Sequence, residues 1–191
     1  MNKCVCAFAS IMLSCAAIFA SSCGASPSTS SQTTITTTEP IKEGKRIYLA
    51  APLFSQADRD YNLVVTQVLE EHDYQVFLPQ RDGYLAPDLA GLTEEQKITK
   101  IFDKDYEEVM KADIFFGIFD GRVPDEGVCI ELGIAYANNK RCYGFKTDAR
   151  TIEYDMNLNP MIAGCLSKLF YDMDGDAALK SLSDYLSTNQ L

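Results

Sequence analysis

Histidine is almost missing from this chain: His72 is the only one in 191 residues, in a polar stretch that closes a helical pattern. Ser-His and Cys-His nucleophile systems need an imidazole aimed at the attacking atom, so a lone solvated histidine excludes them. Neither GxGxxG nor GxxxxGK followed by Ser or Thr occurs. The dinucleotide fingerprint and the phosphate-cradling loop are therefore excluded on their own terms. Basic residues are scarce and unclustered, with 17 Lys and Arg against 27 Asp and Glu and a formal charge of −10. Phosphate-backbone binding needs basic contacts, so nucleic acid is excluded as a main partner and neutral small molecules fit better. Of 7 cysteines, Cys4, Cys6, Cys15 and Cys23 precede residue 24, which leaves Cys129, Cys142 and Cys165. An odd set without CxxC argues against a disulfide framework and a metal site, and assigns these three to packing. No cofactor is expected.

What is present begins with a leader. Residues 1–40 hold one Lys (Lys3) and one Glu (Glu39), which cancel, so the acidic excess belongs to 41–191. From Val5 to Ala20 nothing is charged. That stretch is shorter than the roughly 20 residues a spanning helix needs, but it suits a secretory signal. Ala20-Ser-Ser-Cys23-Gly24 resembles a bacterial lipoprotein cleavage site with Cys23 as the acylated residue, although Ala20 stands where Leu is usual. Ala25 to Pro40 is almost all Ser, Thr and Pro, a tether with nothing to bury. The expected organisation is a signal peptide over 1–22, a tether over 23–44 and a folded domain over 45–191. The expected location is outside the cytoplasm on a lipid anchor, with secretion or the cytoplasm as alternatives.

Strand and helix patterns then alternate. Arg46 to Ala51 reads as a strand ended by Pro52, and Ser55 to Glu71 as a helix with a stripe through Leu63 or Val64, Val68 and Leu69. Tyr74 to Leu78 is a second strand stopped by Pro79. Thr93 with Gln96 forms a capping box for a helix to about Ala112, whose stripe is Ile98, Phe102, Tyr106 and Val109, with Ile101 beside it. Ile114–Phe119, Val128–Asn138, Cys142–Phe145, Pro160–Leu166, Leu169–Tyr171 and Ala177–Leu186 continue the alternation. The expectation is an α/β fold: a single doubly wound, flavodoxin-like parallel five-stranded sheet with helices on both faces. Ligands in such folds gather at the carboxyl ends of strands, where strand order reverses.

Three acids and a phenol stand out against that frame. Glu131 is flanked at helical spacing by Val128, Ile134 and Ala135, so it lies on or beside an inward face, where a carboxylate is paired or reactive. Asp105 falls within the stripe of the 93–112 helix, though pairing with Lys100 or Lys104 would also explain it. Asp125 precedes a helix and could simply cap it. Tyr48 ends the first strand.

The Arg46–Pro52 run, the Phe119–Gly127 strand and loop, and Glu131-Leu-Gly133-x-Ala135 resemble the nucleoside 2-deoxyribosyltransferase family over residues 45–171. Asp105 and Asp125 stand 26 and 6 residues before Glu131, which matches the family's nucleophile position. The resemblance implies transfer of 2-deoxyribose between nucleobases through a covalent deoxyribosyl-glutamate. Glu131 would be the nucleophile, Asp105 the proton donor and acceptor for the base, and Tyr48 the phenol orienting Glu131. Asp125 would bind the sugar hydroxyls, together with Asn159 from a neighbouring protomer of a dimer or hexamer. Gln80 is a candidate base contact, with a solvated loop role as the plain alternative. Related enzymes hydrolyse deoxynucleoside 5′-monophosphates with serines around the phosphate, one of them where Asn159 stands here, so a free deoxynucleoside is the expected substrate. Hydrolysis of the N-glycoside is the first alternative, and a non-catalytic nucleoside-binding lipoprotein the second.

Overall fold

The computed structural model describes residues 44–150 and 155–191. The leader, Cys23 and the tether up to residue 43 lie outside the described residues. In chain order the elements are β1 (Arg46–Ala50), α1 (Gln56–Glu70), β2 (Gln75–Phe77), α2 (Pro79–Asp82), a 3₁₀ turn (Ala86–Leu89), α3 (Glu94–Lys111) and β3 (Ile114–Ile118). They continue as α4 (Glu126–Ala137), β4 (Arg141–Lys146), α5 (Pro160–Cys165), β5 (Lys168–Tyr171) and α6 (Gly175–Leu186). The strands form one sheet in the order β2-β1-β3-β4-β5, and every pairing is parallel. This is the expected flavodoxin-like order.

Period-two alternation sorts the strand residues into two cores. Ile47, Leu49, Ile114, Phe116 and Ile118 pack with Val65 and Leu69 of α1 and Leu182 of α6. Tyr48, Ala50 and Phe115 pack on the other face with Val109 of α3, Val128, Leu132 and Ala135 of α4, and Ile162 of α5. Cys142 is buried in this second core, with Cys129 and Cys165 against it, and all three are free thiols. Strand order reverses between β1 and β3, and that crevice separates the α1 face from the α3–α4 face.

The helix starts follow local chemistry. Ser55 and Asp58 form a reciprocal capping box for α1, and Thr93 with Gln96 does the same for α3. Each satisfies backbone donors that the first helical turn leaves orphaned. His72 closes α1 with Nδ1 on the Val68 carbonyl oxygen at 2.8 Å. Among the described residues, no helix is long and apolar enough to cross a membrane.

Two helix faces differ from the sequence pattern. Leu63 and Val64 of α1 are 46% and 42% exposed; the buried face is Asn62, Val65, Thr66 and Leu69. Asn62 is inside because its amide donates to the Pro52 carbonyl at 2.9 Å, which an apolar stripe could not do. The larger difference lies in α3. Ile98, Ile101, Phe102 and Tyr106 are 40–61% exposed, and only Glu108 and Val109 are buried. An 18-residue helix is about 27 Å long, against roughly 17 Å for a five-residue strand. The apolar stripe of α3 therefore faces the open groove rather than the sheet.

Candidate active site

The acids meet on the α3–α4 face. Tyr48 is the middle residue of β1 rather than its end, and its side chain is fully buried. Its ring is stacked between Phe77 at 5.6 Å and Phe115 at 6.4 Å, both at an interplanar angle of 18°. With the ring fixed on both sides, the phenol points at α4 and donates a 2.6 Å hydrogen bond to Glu131 Oε1. Glu131 is half-buried in the second turn of α4. Asp105, also half-buried, lines the same groove from α3. The groove measures about 430 Å³, and its walls include Ile98, Phe102, Tyr106, Ile130 and Ile134. Hollows of about 630 and 640 Å³ lie at the amino ends of the strands, around Lys45, Arg46 and Gln75. That end of a parallel sheet is not where such folds do chemistry.

Crowding and burial shape the titration of these groups. Removal from water lifts the Glu131 carboxyl to about 7; the Tyr48 hydrogen bond pulls it down, while Asp105 and Asp125 push it up. Burial also lifts Asp105, to about 6, with the Lys104 ammonium opposing and Glu108 adding. Tyr48 is driven well above the ordinary phenol range by burial and by the Glu131 charge, so it stays a donor. Two carboxyls that repel across one groove titrate as a coupled pair, and near neutrality the pair holds about one proton. Without substrate the last proton rests on Glu131, the acid lifted further, and an attacking Glu131 needs that proton carried by its neighbour. Among the described residues, no group of three or more His, Cys, Asp or Glu could hold a metal ion.

The other candidates are placed differently. Asp125 is the N-cap of α4: its Oδ1 accepts from the Val128 amide at 3.0 Å, which is its plain capping role, six residues before Glu131 on one rigid element. A Cβ at position 127 would come within 3.0 Å of that oxygen, so Gly127 lets the cap form beside the groove it lines. Asn159 caps α5, accepting from the Met161 amide at 2.9 Å. It is exposed and absent from the walls of the acid groove. Gln80 is engaged at both ends of its amide, donating to the Arg59 carbonyl at 2.8 Å and accepting from Asn62 at 2.9 Å. It ties α2 to α1.

Three features escaped sequence reasoning. Glu108 is 3% exposed and binds Arg46 and Lys104; its i, i+4 spacing from Lys104 was visible, but its burial was not. Asp120, just after β3, accepts from Thr147 N at 2.6 Å, Thr147 Oγ1 at 2.7 Å and Asp148 N at 2.8 Å. It clasps the loop leading to Asp125 onto the loop after β4. Phe54, on the loop after β1, is 79% exposed on the carboxyl rim.

The family profile described as Nucleoside 2-deoxyribosyltransferase matches residues 47–176. Among solved structures, the 2-deoxyribosyltransferase from the psychrotolerant bacterium Bacillus psychrosaccharolyticus is 28% identical, with a TM-score of 0.60 over 73% of this chain and 91% of that one. A conserved protein from Enterococcus faecalis V583 shares the fold at 24% identity and a TM-score of 0.61, over 75% of this chain and 98% of that one. The 2-desoxiribosyltransferase from Leishmania mexicana does so at 19% and 0.55, over 76% and 99%. No curated protein matches the sequence.

Proposed function

Because the chain belongs to the nucleoside 2-deoxyribosyltransferase family, we propose that it transfers 2-deoxyribose from one nucleobase to another by double displacement at Glu131. The observation that carries this reading is the buried Tyr48 hydroxyl held 2.6 Å from Glu131 Oε1. A phenol fixed on one carboxylate oxygen leaves the other oriented toward an incoming anomeric carbon. Glu131 attacks that carbon as the N-glycosidic bond breaks, and Asp105 gives its proton to the ring nitrogen of the departing base. The product is a deoxyribosyl ester on Glu131. A second base then attacks the same carbon, Asp105 takes its proton, and the Glu131 carboxylate is released. One carboxyl acting as nucleophile and its neighbour as proton carrier is the retaining pattern of glycosyl transfer.

Asp125 and Asn159 of a neighbouring protomer would hold the sugar hydroxyls. The uncovered stripe of α3 supports self-association, since Ile98 and Phe102 are 61% and 57% exposed beside the acids. A second copy over that stripe would bury apolar surface and close the groove. The charged groups lining the groove are Glu94, Lys97, Asp105 and Glu131, an acidic balance that favours a free nucleoside over a 5′-monophosphate. With Gln80 committed to α1, base recognition passes to other groups on the rim. The leader supports a further assignment, a catalytic domain carried outside the cytoplasm on lipid attached at Cys23.

The test is trapping. The protein is mixed with thymidine or deoxyinosine, quenched in acid, digested and weighed. A deoxyribosyl adduct on the Glu131 peptide is expected, discharged by adding a second free base with formation of the new nucleoside. Turnover without any adduct would overturn double displacement. Free deoxyribose with no new nucleoside would make the protein a hydrolase.

A further inference from the structure

Helix α3 sends two adjacent side chains to opposite flanks. Asp105 lines the groove it shares with Glu131, while Lys104 lines a separate polar hollow of about 360 Å³ with Arg46, Arg81 and Glu108. In that hollow Lys104 Nζ lies 2.9 Å from Glu108 Oε1 and 5.2 Å from the centroid of the Phe77 ring. Phe77 is the ring that stacks on Tyr48. Glu108 is 3% exposed and gathers three cations: Lys104, the Arg46 guanidinium, and Lys111 at 3.5 Å.

Such a cluster is poor value as a source of stability alone. Desolvating a carboxylate and its cations costs about what their attraction returns, and well-packed apolar residues often do as well. The cluster is also incompletely satisfied, because Arg46 Nε is buried with no hydrogen-bond partner. Its position is informative. Glu108 lies one turn after Asp105 on the same helix, and Lys104 is the immediate neighbour of Asp105. The Lys104 charge already lowers the proton affinity of the neighbouring Asp105, and Glu108 is the contact that holds that charge on the far flank.

We propose that Glu108 is a positioning residue for Asp105: it anchors α3 to β1 through Arg46 and captures Lys104, keeping that cation away from the Asp105 carboxyl. Asp105 thereby keeps more of its affinity for a proton than it would beside a free Lys104 ammonium. This rests on the reading above that Asp105 handles the proton of the base.

The charged and titratable groups around Asp105 all bear on the argument. Its own helix contributes Lys104, which lowers its affinity for a proton, and Glu108, which raises it. Across the groove Glu131 repels it and is repelled in turn; the Tyr48 phenol of β1 is coupled to both acids. Glu94 and Lys97 line the groove further out and offset each other. Removing the Glu108 charge acts twice in one direction. It deletes a repulsion that favours the proton, and it releases the neighbouring ammonium that disfavours it.

The experiment follows the carboxyl ¹³C resonance of Asp105 through a pH titration in four proteins: wild type, Glu108→Gln, Lys104→Met and the double variant. Glu108→Gln is expected to lower the Asp105 midpoint by about one pH unit, the lower end of the effect of an opposite charge at contact. Lys104→Met alone is expected to move it less. In the Glu108→Gln background the same Lys104→Met change should raise it by most of the unit lost, a non-additivity that marks direct coupling. Glu108→Asp, which keeps the charge, should retain the wild-type midpoint. An unmoved midpoint in Glu108→Gln, or an identical Lys104→Met effect in both backgrounds, overturns the proposal. If Glu108→Gln does not fold, the pair Arg46→Met/Glu108→Gln removes both charges together and serves as the background. The titration reads Asp105 whatever the reaction, and the pH profile of kcat is recorded beside it. A midpoint that falls while the alkaline limb of transfer stays in place supports the role of Glu108 and refutes Asp105 as the proton carrier.

Discussion

Glu131→Gln should stabilise the protein in alkali and do little in acid. Burial holds the Glu131 carboxyl at about 7 against an ordinary 4.5. The folded state therefore binds a proton that the unfolded chain has released, and stability falls as pH rises from about 4.5 through about 7. Each unit of displacement corresponds to about 1.4 kcal/mol, so the full penalty is about 3 kcal/mol above pH 7.5. Glu131 is only half-buried, and solvent screening reduces the effect to about 2 kcal/mol. Glutamine keeps the shape and can still accept the Tyr48 hydrogen bond through its carbonyl oxygen, so the substitution deletes the charge and little else. Urea unfolding of wild type and variant at pH 5 and pH 8.5 reads the difference. The variant should gain about 2 kcal/mol more at pH 8.5 than at pH 5 while losing the ability to form an ester. An equal gain at both pH values, or a loss at pH 8.5, would refute the claim that Glu131 is held against its ionisation.

Two further tests concern assembly and location. Protomers carrying Glu131→Gln and protomers carrying Asn159→Ala should each be inactive, yet a mixture should recover activity, because a hybrid dimer pairs an intact Glu131 with an intact Asn159. Random exchange gives about a quarter of wild-type activity, measured as nucleoside formed after mixing; no recovery removes Asn159 from the neighbour's site. In a bacterial host, the mature protein should carry a lipid-sized mass increment at Cys23 and partition with membranes, whereas Cys23→Ser should be lipid-free. An unprocessed leader on cytosolic protein would refute the anchor.

The sheet was legible because each strand is a short apolar run stopped by punctuation: Pro52 after β1, Pro79 after β2, and Phe119 running into the Gly121 loop. The helix starts were legible because caps are local, as at Thr93 and Asp125. The direction of helix faces was less so. Apolar content in α1 pointed to Leu63 and Val64, but Asn62 went inside to bind the Pro52 carbonyl, a contact ten residues back that no periodicity encodes. Tyr48 on the first strand, Asp105 in the α3 stripe and Glu131 on α4 were each legible, and they share one locale in the fold. Gln80 shows the limit, since its place on the rim could be read while the use of its amide could not.

The misread stripe of α3 and the chemistry of the acids belong together. A helix pays the solvation cost of exposed Ile98, Ile101, Phe102 and Tyr106 only if something gains from that surface. If Glu131 forms the proposed ester, water would reach it in the open groove of a single protomer and hydrolysis would be favoured. A covered groove excludes water and leaves a second base as the competent acceptor. A second copy over the groove would deepen the desolvation that already lifts Asp105 and Glu131, so proton uptake on association is the expected outcome. On the proposed reading, association, proton retention and the choice between transfer and hydrolysis would form one linked equilibrium. Its pivot is α3, fixed to β1 at its buried end by Glu108 and free to meet a partner at the other.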